Sequence, residues 1–391
     1  MANERTYNDP AGGNASEMGT QFNTEYYQKT ALIELQKEQY FGQLSDTTNL
    51  PKNMGKTLKR YIYMPLLDDR NINDQGLDAA GATIANGNIY GSSKDIGTIT
   101  GKLPVLSEAG GRVNRVGFKR QELEGSIAKF GFFDEYTKES MDFDTDSELE
   151  MHIHREMLRG AGEMTEDALQ IDLINGAGTI RYAGAATTNL TVDDTCEVSY
   201  GDLLRLDIDL NNNRTPKSIT VISGTRMVDT KVIPAARVMY VGSELIPLLM
   251  GLKDLHGDRA FIEYQHYAAG TTTIRGEIGS IGAFRIVVVP EMMKWEGAGA
   301  DASATATHYE TGDKYDVFPM LVVGDKAFQT IGFQTDGKTV KFKIKHSKPE
   351  SAESYAIDPY GETGFMSIKW YYGTMILRAE RLALVKTSAK M

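Results

Sequence analysis

His152 and His154, with Glu156 two residues further on, are the first side chains that invite chemistry, because imidazole and carboxylate are the ligands of a zinc site. Their spacing defeats that use. Residues two apart on a helix point roughly 200° away from each other and cannot share one ion. His256, His266, His308 and His346 stand at no ligand spacing, and the pattern of two histidines four apart around a glutamate is absent. No metal and no cofactor is expected. Gly176-Ala177-Gly178 follows a helical pattern instead of opening one, so its amides cannot form a phosphate cradle. There is no Gly-x-Ser-x-Gly elbow, and Asp142, Asp144 and Asp146 suit the start of a helix, where negative charge is favourable. Lys94 and Lys102 could attack a neighbour's side-chain amide and cross-link subunits if desolvated and neutral; surface lysine is the plainer reading. With no catalytic constellation, the chain reads as structural and not as an enzyme.

The elements that would hold any site centre on one long helix, from Asp144 to Gly178. Thr145 and Glu148 stand three apart as a capping box requires, and Asn175-Gly176 supplies the left-handed stop. Leu149, Ile153, Met157, Ala161, Met164, Ala168 and Ile171 recur at spacings of three or four, which places them on one stripe. Such a helix would be roughly 45 Å long and must act as a spine for what packs on it. Gly160, Ala161 and Gly162 interrupt good helix formers, so a close approach to the backbone is expected there.

A chain of 391 residues has room for two or three lobes. Its formal net charge of −11 argues against a groove that grips nucleic-acid phosphates. The single cysteine, Cys196, excludes an internal disulfide framework and fits assembly in a reducing cytoplasm. The amino terminus lacks a secretory signal, and no run reaches the ~18 apolar residues of a membrane helix, so no membrane partner is expected.

In chain order, residues 1–22 are a polar arm, followed by an amphipathic helix from Asn23 or Thr24 to Gly42. Thr57 to Met64 alternates as a strand, with Leu58, Ile62 and Met64 on one face. Residues 65–117 are Gly-rich and lack any sustained period, too long for an ordinary connection. Because Ile127, Phe130, Phe132 and Phe133 then resume strand character, the excursion should leave and return beside the same strands, as a long hairpin arm. Ser199-x-x-Asp202 caps a helix through Leu203, Leu206 and Leu210. Strands are expected at Ile219–Ile222, Val238–Val241 and Gly282–Val289, with a helix near Leu245–Leu252, as a second lobe. Glu296–Asp313 should be an exposed insertion with a mobile tip. The return runs through Val317–Val323, Val340–Ile344, a turn at Asp358-Pro359-Tyr360-Gly361 and long strands between Phe365 and Val385.

This order of elements resembles the Hong Kong 97-type capsid fold, an α+β architecture of phage major capsid proteins. LPKNMGKTLKRY before the excursion, LEGSIAKFGFFDEYTKESMD after it and IDPYGETGFMSIKWYYGTMILRAERLALVKTS at the end resemble the capsid family of short-tailed phages carrying a giant virion RNA polymerase. The resemblance implies an N-terminal arm and docking helix (1–50), an extended hairpin loop with flanking strands (51–135), a peripheral domain with the spine helix (136–216), an axial domain (217–334) and return strands (335–391). It implies hexamers and pentamers of an icosahedral virion head enclosing double-stranded DNA without sequence-specific binding. Portal and possible decoration proteins are the implied partners. No long helical segment precedes the arm and the chain starts at Met1, from which a separate scaffolding protein is expected. Arg70, Lys94, Lys102, Arg112 and Arg115 of the arm are candidates for pairing with acidic surfaces of a neighbouring subunit. An encapsulin-type shell of the same fold, and a soluble enzyme or binding protein with a long lid, are the alternatives.

Overall fold

The computed structural model describes residues 40–50, 55–63, 83–84, 87–88, 120–143, 149–223, 229–233, 237–267, 274–290, 292–302, 307–333, 342–350 and 358–391. The expected docking helix, the capping box at Thr145 and Glu148, and most of the Gly-rich excursion lie outside these residues.

The first described piece is a short 3-10 turn, Phe41–Leu44, which runs into strand β1, Asp46–Leu50. Strand β2, Thr57–Tyr63, alternates as its sequence requires, and its partner is β5, Arg120–Ser126, which follows the short β3 (Thr83–Ile84) and β4 (Gly87–Asn88) pair. Antiparallel pairing sets Tyr63 opposite Arg120, so the excursion leaves and returns at one point. Next come β6 (Ala128–Thr137), α1 (Lys138–Phe143) and the long helix α2 (Leu149–Asn175). At 27 residues α2 is about 40 Å long. Strand β7 (Thr179–Tyr182) leads to α3 (Tyr200–Asn212), where Ser199 and Asp202 form the expected capping box.

The remaining elements are β8 (Ile219–Ser223), β9 (Asp229–Ile233), β10 (Arg237–Gly242), α4 (Ile246–Met250), β11 (Phe261–Glu263), α5 (Tyr264–Tyr267), β12 (Glu277–Ile281) and β13 (Phe284–Val289). The chain closes with β14 (Phe318–Val323), β15 (Phe328–Phe333), β16 (Lys343–Ser347), β17 (Thr363–Ile376) and β18 (Leu382–Thr387).

Two sheets carry the architecture. A seven-stranded sheet has the order β11-β12-β13-β10-β14-β18-β7, taking strands from both sides of the 217–334 segment. A five-stranded sheet joins β1, β15, β17 and β16, with β6 also paired to β17 along its length. Both faces of the larger sheet are buried, which is why β10, β14 and β18 read as unbroken apolar runs. Val238, Tyr240, Leu321 and Leu384 turn to the core shared with α2, whereas Met239, Val241, Met320 and Val385 turn to a second core under α3 and α4. Burying one such side chain contributes about 1.5–3 kcal/mol, so a polar residue at any of these positions would be costly.

The helix meets this body in two ways. Its first half packs Met157 and Ala161 against the core, beside partly buried Ile153 and Phe132. Its second half packs Leu169 and Leu173, roughly 120° further round the axis. The single expected stripe is therefore covered at Met157 and Ala161, partly at Ile153 and Ala168, and open at Met164, 57% exposed, and Ile171, 46% exposed. Close backbone approach occurs at the helix end and not at Gly160: a Cβ on Gly160 would meet Phe132 at an ordinary 3.8 Å, whereas one on Gly178 would lie 2.5 Å from the Ala379 carbonyl oxygen. Glycine is also required where the hairpin crosses the smaller sheet, since a Cβ on Gly373 would collide with the Ser126 carbonyl oxygen.

The expected exposed insertion at Glu296–Asp313 is exposed at Glu296, Asp301 and Glu310–Asp313, its residues 303–306 lying outside those described, but it is anchored to the body at other positions. Gly299 donates to Tyr315 O at 2.8 Å, Ala300 to Val192 O at 2.9 Å, and His308 is buried. Its small residues serve close packing: a Cβ on Gly299 would stand 2.7 Å from the Tyr315 carbonyl oxygen.

Candidate functional site

The residues that first suggested chemistry are dispersed. His152 and His154 lie on α2, His308 accepts or donates a 2.8 Å bond with Glu197, and His346 meets the Tyr136 hydroxyl at 2.5 Å. Among the described residues no three His, Cys, Asp or Glu side chains gather closely enough to hold a metal. Cys196 is buried, its thiol donates to Asp193 Oδ1 at 3.1 Å, and burial pushes the thiol's pKa up, away from the thiolate a nucleophile needs. Arg70, Lys94, Lys102, Arg112 and Arg115 all lie outside the described residues.

Sequence reasoning missed the buried cations, Arg237 and Lys386 among them. Arg237 reaches from β10 to α3, donating to Asp207, to Asn211 Oδ1 at 2.8 Å and to Thr215 O at 2.7 Å. Burial pulls its guanidinium below the ordinary range while Asp207 opposes the shift. Lys386 donates to Asn189 Oδ1 at 2.9 Å under the Trp295 ring, 4.3 Å from its centroid, and burial lowers its pKa. A charged residue inside an otherwise apolar strand was the available signal for both.

What the molecule does present is surface for other copies. The hairpin base exposes Tyr61 and Tyr63, β6 exposes Phe133, α2 leaves Met164 and Ile171 open, and Leu255 stands out near α4. Such apolar positions, distributed over several faces, suit a subunit with several interfaces.

The chain's own arm root is fixed with unusual care. Glu166 on α2 accepts the Phe41 amide at 2.5 Å and the Gly42 amide at 3.4 Å. Burial raises the Glu166 pKa, and the Phe41, Gly42 and Tyr40 amides pull it back. From the larger sheet the Tyr240 hydroxyl donates to Tyr40 O at 2.9 Å, and the Phe41 and Tyr240 rings sit 4.5 Å apart. Gly276, at φ +78°, leaves the space that the Tyr40 ring fills. Ser45 and Thr330 share a 2.6 Å hydroxyl bond on the smaller sheet. Residues 40–45 thus join α2 and both sheets.

The comparisons agree with this architecture. A family model described as "Phage capsid protein" matches residues 120–387. The major capsid protein of Pseudomonas phage KPP21 is 60% identical over 386 residues, covering 98% of this chain and 97% of that protein. Among solved structures, the capsid of Ralstonia phage GP4 superposes with a TM-score of 0.56 at 12% identity, covering 97% of this chain and 99% of that one. The head of Helicobacter pylori bacteriophage KHP40 gives 0.54 at 9% identity, covering 97% and 99%. These structural likenesses establish the α+β, Hong Kong 97-like capsid fold with its long helix. The chain belongs to the phage capsid protein family and is a structural component of the virion head, not an enzyme.

Proposed function

We propose that this protein builds its icosahedral head from rings of six and five copies, closing them through the seven-stranded sheet and α3, and linking them through the hairpin arm. The observation that carries this reading is the half-covered stripe of α2. A helix in a finished monomer would not leave Met164 and Ile171 open in line with a buried Met157 and Ala161. The 64–119 segment, rooted where Tyr63 pairs with Arg120, is long enough to cover that stripe on the next subunit. Arg70, Lys94, Lys102, Arg112 and Arg115 are its candidates for pairing with acidic neighbour surfaces.

In this reading the peripheral domain comprises residues 136–216, with α2, and the return strands of 335–391, and the axial domain comprises residues 217–334. Several modest interfaces per subunit, repeated by symmetry, hold a closed shell without covalent fixing. The head encloses double-stranded DNA against an acidic or near-neutral inner wall, assembles with a portal and a scaffolding protein, and has room for a decoration protein outside. The phages it serves are short-tailed ones that carry a giant virion RNA polymerase, the group its sequence resembles. Deleting residues 75–105 should leave a folded subunit that no longer builds normal shells in electron micrographs; normal shells would remove the arm from the mechanism. Tight, salt-sensitive DNA binding by purified capsomers would count against the passive wall.

A further inference from the structure

At the root of the hairpin, where β2 and β5 meet the turn between β17 and β18, two adjoining cavities of 530 and 450 Å³ share Ile62, Tyr63, Leu377, Arg378 and Arg381. Their charge is lopsided. Arg60, Arg214, Lys326, Arg378 and Arg381 line them, against one carboxylate, Glu380. That surplus of positive charge stands in a chain whose formal net charge is −11.

The acceptors that Arg381 and Arg60 reach are neutral oxygens. Arg381 Nη1 is turned to the backbone oxygen of Asp325 at 2.7 Å, and Arg60 Nη1 to Gln329 Oε1 at 2.9 Å. Arg378 stands 3.9 Å from Glu380 with its side chain 41% exposed, a geometry that neutralises little in water. Burial and the neighbouring Arg378 depress the Arg381 pKa, while the Asp325 and Glu380 carboxylates oppose that shift. Exposed Tyr61, with Arg120 stacked 4.5 Å from its ring centroid, and exposed Tyr63 form the rim. A cationic groove with aromatic walls recognises planar anions, which guanidinium groups take in paired hydrogen bonds.

We infer that this groove receives an acidic segment of the adjoining copy in the ring, making the arm root a charge-matched socket as well as a hinge. The inference rests on the ring reading above and names its chemistry. Identical subunits of net negative charge repel one another at long range, and a basic face on each copy meeting an acidic face on the next offsets that repulsion and sets the register of the ring. The same chain supplies the acid: it carries 53 Asp and Glu against 42 Lys and Arg. The socket also lies beside the strands from which the proposed grip on the neighbour starts, so both contacts would form in one step.

The test uses assembled particles. Subunits of ordinary and heavy isotope composition are mixed before assembly, the shells are treated with a carbodiimide, and peptides joined through Lys326 are sequenced. Joined pairs of mixed isotope, Lys326 to an Asp or Glu of another copy, are expected; exclusively same-isotope pairs, or none, would overturn the inference. In parallel, Arg378→Glu should raise the protein concentration needed for assembly about tenfold, and Arg378→Gln by less, with the subunit's urea midpoint little changed. An unchanged assembly threshold with weaker DNA retention would assign the groove to nucleic acid and overturn the inference. Failure of the unaltered protein to form rings or shells would instead refute the ring reading itself.

Discussion

Replacing Glu166 by glutamine and by alanine should separate two roles that one carboxylate plays at the arm root. The carboxylate accepts the Phe41 amide at 2.5 Å in a buried setting, so its removal in Glu166→Ala leaves a buried donor without its partner. That loss costs about 1–3 kcal/mol, and the small cavity adds to it. Glutamine keeps an acceptor oxygen in nearly the same place and carries no charge to desolvate, so Glu166→Gln should lie within about 1 kcal/mol of the parent at neutral pH. The groups facing Glu166 are Asp167 beside it, whose charge also raises its pKa, Tyr240 of the larger sheet, and Tyr372 of β17 with Asp172 nearby. Both tyrosines are pushed above the ordinary phenol range by burial and stay neutral.

The pH dependence follows from the sign of the Glu166 shift. Its folded pKa is raised above 4.5, so the folded state holds the proton more tightly than the unfolded chain. Its contribution is fullest below 4.5 and is lost as pH rises through the folded pKa, at up to about 1.4 kcal/mol per pH unit inside that window. Glutamine removes this term. Urea unfolding of the unassembled subunit between pH 4 and 7 should therefore show Glu166→Gln gaining on the parent as pH rises, while Glu166→Ala stays below both. A glutamine variant as damaged as alanine, or a gap that ignores pH, would refute the reasoning.

Three further outcomes can be measured in the same way. Arg237→Ala should cost about 3–5 kcal/mol in urea unfolding, because Asp207 loses its buried partner and Thr215 O its donor. Gly373→Ala should destabilise by about 1–3 kcal/mol or more, since the added methyl meets backbone at Ser126, and it should loosen the hairpin root in hydrogen exchange before the larger sheet. Tyr240→Phe, which removes only the 2.9 Å bond to Tyr40 O, should cost about 0.5–1.5 kcal/mol, the smaller figure being favoured because Gln43 Nε2 also donates to that oxygen at 2.9 Å.

Local chemistry carried much of the fold in the sequence. Ser199 and Asp202 announce α3 because a hydroxyl and a carboxylate three apart can satisfy amides at a helix start. Asp358 likewise sets its turn, accepting the amides of Tyr360 at 3.1 Å and Glu362 at 2.8 Å before β17. The anchoring of the Glu296–Asp313 segment was not legible because small residues suit an exposed loop and close packing equally, and only long-range partners such as Val192 and Tyr315 show which of its residues are held. The capsid family was legible from element order and local wording. The arm-root clamp was not, since Glu166 and Phe41 are 125 residues apart and neither belongs to a pattern.

The long helix shows most plainly what one chain's sequence encodes about its neighbours. Periodicity drew a single stripe through Met157, Ala161, Met164 and Ile171, yet the subunit's own core takes only the first two. On the opposite side Met151 and Leu158 are exposed, in line with the buried Leu169 and Leu173 of the second half. The helix therefore carries two apolar rows, each covered at some positions and open at others, with Ala168 between Met164 and Ile171 still packed against the core. If the open positions belong to adjoining copies, Met164→Lys and Leu158→Lys should leave the urea midpoint of the isolated subunit within about 0.5 kcal/mol of the parent while blocking shell formation. If those positions face only solvent, shells will form as before, and the excess of apolar periodicity over the monomer's needs will have no meaning for assembly.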